Sequence, residues 1–220
     1  MKVHPMLISC AGAMPTPPQN YLVPIVIEQR PNGERAYDLY SKMMDERIIM
    51  LTSPIEPVMA GIVTAQLLYL ESVDKTKPIQ LYISSPGGYV SAGLDIHDVM
   101  RHVECPVHVV CKGQAASMAA ILLAAGDRRL IMPNAEVMIH QPLGGMQGQS
   151  VDMEIAARHI VRTRERLYRL LADYTGQPLE KIEKDSDRDN YMTAEEALEY
   201  GLVDEIINFP KAKIGLPPKK

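Results

Sequence analysis

"LYISSPGGYVSAGLDIHDVMRHVECPVHVVCKG", residues 81–113, decides the fold. It begins as an apolar, strand-like run and breaks at Pro86-Gly87-Gly88, a turn signal. From Val90 to Val103 apolar residues recur three and four apart, which predicts a helix with Ser91 as a cap near its start. "CPVHVVCKG" (105–113) then reads as a second strand. Strand, helix, strand is a βαβ unit, whose two strands run parallel.

The same rhythm continues on both sides. Upstream, "SKMMDERIIML" (41–51) passes from a helical turn into a strand around Ile48–Leu51, and "PVMAGIVTAQLLYLESVD" (57–74) has helical spacing. Downstream, "GQAASMAAILLAAG" (113–126) supplies an Ala-rich helix, and "RLIMP" (129–133) and "EVMIHQP" (136–142) two short strands. The longest helix is "SVDMEIAARHIVRTRERLYRLLADYTG" (150–176), closed by a glycine. A last helix, "TAEEALEYG" (193–201), opens with Thr193 and Glu196 in capping-box spacing and runs into the strand "VDEII" (203–207). The class is α/β, built on a largely parallel sheet.

Composition narrows the function. The chain has 220 residues, 46% of them hydrophobic, enough for one domain with a substantial core. A net charge of −4 argues against binding nucleic acid or an anionic membrane. Its main cationic run, "RTRER" (162–166), reads as a solvated helix face. Cys10, Cys105 and Cys111 lack metal-ligand or disulfide spacing, so no metal site is expected and a reducing compartment fits. No apolar run approaches the roughly 20 residues of a membrane span. The Pro-rich start, residues 1–20, reads as a disordered leader, and the basic end, 209–220, as a loose tail.

In parallel sheets, functional groups collect where strands end and helices begin. Ser117 lies four residues beyond Gly113, near the first turn of the Ala-rich helix. It is either a small packing residue or a nucleophile whose oxyanion the helix-start N–H groups, notably that of Met118, would stabilise. Gly87-Gly88 leaves bare backbone that a substrate can approach, although an ordinary tight turn uses the same residues. Of six histidines, His140 ends an apolar strand just before "QPLGG", the position of a general base or of a hydrogen-bonded strand-edge histidine. An orienting acid cannot be chosen by pattern among Asp185, Asp187 and Asp189 of "KDSDRDNYM" (184–192), a stretch of mixed charge that reads by default as a solvated loop.

Together these residues resemble the ClpP family, the proteolytic subunits of ATP-dependent Clp proteases. The matching pieces are "YLVPIVIEQ" with "GERAYDLYSKMMDERIIMLTSPI", then "LYISSPGG", "GQAASMAAILLAAG" and "MIHQPLGG". The last is "TGQPLEKIEKDSDRDNYMTAEEALEYGLVDEI", and they span about residues 21–207. The resemblance implies the ClpP/crotonase-like fold, repeated ββα or βαβ units with a protruding helix-strand handle at about 142–175. It implies Ser117 as nucleophile, His140 as base, Asp189 as orienting acid, and the backbone N–H groups of Gly88 and Met118 as oxyanion donors. Asp187 and Arg188 match a pair that bridges stacked rings, and Tyr82 a position in the unfoldase docking cleft. The segment "LGGMQGQ" (143–149) matches the strand that binds extended substrate.

At the level of organisation, the resemblance implies a propeptide over 1–20, axial-pore loops over 21–35 and a protease domain over 36–208. The implied activity is serine endoproteolysis of unfolded polypeptides inside two stacked heptameric rings, a tetradecamer fed by an AAA+ unfoldase. The chain carries no Walker A signature, so ATP would be used by that partner and no cofactor is expected here. The implied setting is bacterial cytoplasm, with an organellar or phage-encoded origin as alternatives. Departures from the family pattern are Ala119 in place of glycine, Ser84 in place of Asn, Gln80 in place of an aromatic residue, and a shorter connection at 124–134. Two other readings exist, a non-catalytic ring subunit and a crotonase-type acyl-CoA enzyme. The first would be expected to lack triad residues, and the second needs none.

Overall fold

The computed structural model describes residues 8–9, 23–31, 33–145 and 147–209. In chain order the elements begin with β1 (Ile8–Ser9), a hairpin of β2 (Ile25–Arg30) and β3 (Gly33–Asp38), and α1 (Leu39–Asp45). Next come β4 (Ile48–Leu51), α2 (Pro57–Val73), β5 (Ile79–Ser85), α3 (Val90–His102), β6 (Val107–Ala116) and α4 (Met118–Ala124). The chain continues through β7 (Arg128–Ile131), β8 (Glu136–Ile139), β9 (Leu143–Gly144), α5 (Ser150–Thr175) and α6 (Leu179–Asp185). It ends with β10 (Asn190–Met192), α7 (Ala194–Tyr200) and β11 (Glu205–Ile206).

The parallel sheet read from the sequence is present. β4, β5 and β6 pair parallel in that order, and β6 then serves two partners. Its first half, His108–Cys111, pairs with β7, and its last residues, Gln114–Ala116, pair with β8. β11 adds to β7 in parallel, and β10 adds to β8 antiparallel. The sheet therefore forks at β6, and the fork lies immediately before Ser117.

Alternation explains why β5 can sit centrally: Ile79, Leu81, Ile83 and Ser85 are buried, while the residues between them are half-buried. One continuous core joins these strands to Leu67 of α2, Ile96 of α3, Leu122 and Leu123 of α4, and Leu167, Tyr168 and Leu171 of α5. Pro57 starts α2, where its missing N–H costs nothing. Gly176, at φ 71°, closes α5, and the Thr193–Glu196 capping box opens α7 as its sequence predicts.

Three local expectations need correction. Ser91 does not cap α3; Tyr89 holds that position without a side-chain bond, and Ser91 falls in the first turn. The Ala-rich helix starts at Met118, because β6 runs on past Gly113 to Ala116 to pair with β8. The stretch read as a solvated loop contains the end of α6 and all of β10. β2 and β3, most of them within the segment that resembles axial-pore loops, pair antiparallel. The leader and tail expectations fall mostly outside the described residues. Within the leader, Ile8–Ser9 pair antiparallel with Leu143–Gly144 of β9. Among the described residues no helix is long and apolar enough to cross a membrane.

Candidate active site

The site is built where the sheet forks. Gly113 sits at φ 72°, a conformation that a side chain disfavours, and a Cβ there would come within 2.9 Å of Ser84 Oγ. This kink lets β6 leave one strand partner and join another. The chain reaches Ser117 at φ 59° and ψ −120°, positive φ in a non-glycine residue and therefore strained. Its N–H donates to the Met138 carbonyl of β8 at 2.7 Å, and its carbonyl accepts from Ala120 in α4. Ser117 is buried, at 5% exposure, directly before the helix start, whose first N–H groups lack a partner within the helix.

β8 delivers the second group. It ends at Ile139, so His140 emerges as the strand stops, its side chain 8% exposed. His140 Nε2 lies 2.9 Å from Ser117 Oγ, and Nδ1 lies 2.9 Å from Asp189 Oδ1. The Asp189 position follows from β10: pairing Asn190 opposite Ile139 sets the residue before Asn190 beside the residue after Ile139. Ser117, His140 and Asp189 thus form one hydrogen-bonded run drawn from three elements. His97, another buried imidazole, has both ring nitrogens occupied, by the Tyr174 hydroxyl at 2.6 Å and by Asp98 at 2.8 Å.

The Gly87-Gly88 turn packs on the same point. A Cβ on Gly87, itself at φ 89°, would lie 2.6 Å from the Ala116 carbonyl and 2.8 Å from Ser117 Cβ. One on Gly88 would meet the Ile55 carbonyl at 2.2 Å. Ile55 bridges this turn by donating to the Gly87 carbonyl and accepting from the Tyr89 N–H. In that pattern the Gly88 N–H faces away from Ile55. Beyond the turn, Val90 and Leu94 of α3 open a cavity of about 450 Å³ that is bounded opposite by His159, Thr163 and Arg166 of α5. Asp98 and Arg166 face each other across it at 3.8 Å.

The other expected residues lie apart from the hydrogen-bonded run. Asp187 and Arg188 are exposed on the Asp189 loop, their side chains 3.8 Å apart. Tyr82 is half-buried on β5, its hydroxyl donating to Gln80 at 3.4 Å. Ala119 is fully buried in α4. Among the described residues no group of three or more His, Cys, Asp or Glu is arranged to hold a metal. Sequence reading overlooked Gln141, whose side chain donates to the Asp187 carbonyl at 2.8 Å. Its position next to His140 was the only available signal.

Chemically, a buried hydroxyl bonded to an imidazole that is bonded in turn to a carboxylate can yield a nucleophilic alkoxide without a metal. In comparison with known proteins, the family model described as Clp protease matches residues 31–209.

Proposed function

The chain belongs to the Clp protease family, and on that premise we propose that it is a serine endopeptidase acting through Ser117, His140 and Asp189. The observation that carries this reading is the hydrogen-bonded run of those three side chains, with both links at 2.9 Å. Ser117 Oγ attacks the peptide carbonyl as His140 Nε2 takes its proton. Asp189 holds the Nδ1–H and stabilises the imidazolium that forms. The tetrahedral oxyanion accepts from the N–H groups of Gly88 and Met118. His140 then returns the proton to the leaving amine, and water hydrolyses the acyl-enzyme by the same steps in reverse.

The substrate is an extended polypeptide lying along β9. That strand starts three residues after His140, and its backbone accepts a strand partner in the structure at Ile8–Ser9. Pairing of this kind reads main chain more than side chain, which suits broad specificity. Family membership supports a self-assembled ring particle and a Clp unfoldase as partner, with the unfoldase consuming the ATP. Asp187 and Arg188 then serve the ring contact and Tyr82 the docking cleft.

A fluorogenic short peptide tests the activity directly. The purified protein is expected to cleave it without ATP, and Ser117→Ala to lower kcat/KM by about 10⁴-fold or more. A Ser117→Ala protein that retains the wild-type rate would overturn the reading. Unfolded proteins are expected to be degraded faster when an AAA+ partner and ATP are added.

A further inference from the structure

We propose that Gln141 is a positioning residue for this reaction, clamping the 186–189 loop to the end of β8 so that Asp189 stays on His140. The inference rests on the triad reading above and adds a residue to it. Asp189 is an improbable fixed point on its own. Its side chain is 58% exposed, and among the described residues its carboxylate meets only the His140 ring. An exposed carboxylate on a loop is readily drawn into water, and one hydrogen bond in that setting is worth little.

The loop is pinned on both sides of the pair. On one side, Asn190 sits opposite Ile139 in the β10–β8 ladder. On the other, the Gln141 backbone N–H donates to the Ser186 carbonyl at 2.7 Å. Its side-chain Nε2 donates to the Asp187 carbonyl at 2.8 Å and approaches the Asp187 carboxylate at 3.3 Å. Residues 139 and 141 flank His140, and residues 187 and 190 flank the Arg188–Asp189 pair. The two anchors therefore close a short frame around the imidazole–carboxylate contact. The side-chain anchor is the one a substitution can remove while the backbone bond to Ser186 remains.

Misplacing a group in such a site by about 1 Å can cost on the order of 100-fold in rate. Gln141→Ala is expected to lower kcat by about 10-fold or more with KM within about 2-fold of wild type. Gln141→Glu keeps the volume but turns an acceptor toward the Asp187 carbonyl and carboxylate, so it should lose at least as much. The deciding readout is a double-mutant cycle. In an Asp189→Ala background, Gln141→Ala should change kcat by less than about 2-fold, because nothing is left to position.

An unchanged kcat in Gln141→Ala and Gln141→Glu overturns the proposal. So does a fall that appears only in KM, or an equal fall in both backgrounds. Failure of the underlying triad reading is separately visible, as Ser117→Ala or Asp189→Ala retaining the wild-type rate.

Discussion

Ser117 carries strain and, on the proposed mechanism, the chemistry as well. A positive φ in a non-glycine residue costs about 1–3 kcal/mol, and it is held here by the bond from its N–H to Met138 and by the start of α4. Function and stability should therefore separate at this position. Ser117→Gly and Ser117→Ala are both expected to be inactive. Because glycine tolerates the backbone angle and alanine does not, the glycine variant should unfold at a higher temperature than the alanine variant. Equal melting temperatures would mean that the angle is not strained in solution. Gly87 is the steric counterpart. A Cβ there would press on the Ala116 carbonyl and Ser117 Cβ at under 3 Å. Gly87→Ala should thus lower peptidase kcat by about 100-fold or more while the chain still folds; wild-type kcat in that variant would contradict the close packing.

At the scale of elements, Arg129 of β7 ties together three chain segments. It donates to the Tyr174 carbonyl at 2.9 Å, to the Gly201 carbonyl at 2.7 Å, and to the Asp204 carboxylate in an ion pair. Arg129→Met should cost about 2–3 kcal/mol in urea unfolding, mainly from carbonyls left without a charged donor. The Arg129 hydrogen bonds hold the Asp204 carboxyl below its ordinary range. The unfolded chain then binds the extra proton first as pH falls. This contribution is complete above the unfolded carboxylate pKa, near 4, and is lost as pH drops through the lower native value. Arg129→Met should flatten that acid limb, and an unchanged limb would assign it to other groups. Much of this architecture was legible: periodicity marked α2, α3, α5 and the parallel strands, and strand ends marked Ser117 and His140. What was illegible depended on pairing. Asp185, Asp187 and Asp189 lie within five residues, and only the Asn190–Ile139 register selects among them. α6 buries one residue, Ile182, so it had no apolar stripe to read. The extension of β6 past Gly113 exists because β8 is there to receive it.

At the scale of the whole molecule, α5 is divided. Its second half buries Leu167, Tyr168 and Leu171 in the core, whereas its first half exposes Val151, Met153, Ile155 and Val161. Four apolar residues left in water along one half-helix call for a partner surface, which in the proposed ring particle would be a second copy of the chain. Ile155→Glu is expected to shift sedimentation from a large ring particle to smaller species, and an unchanged particle would place the contact elsewhere. With Asp187 and Arg188 making the proposed ring contact, assembly and chemistry would meet at the loop that also holds Asp189, so the nucleophile is best tested in the assembled protein. The most direct measurement is the intact mass of that protein after exposure to a fluorophosphonate, with Ser117→Ala alongside. The account predicts one adduct per chain on the wild type, mapped to Ser117, and none on the variant. A wild-type chain that stays unmodified, or a variant labelled equally well, would contradict it.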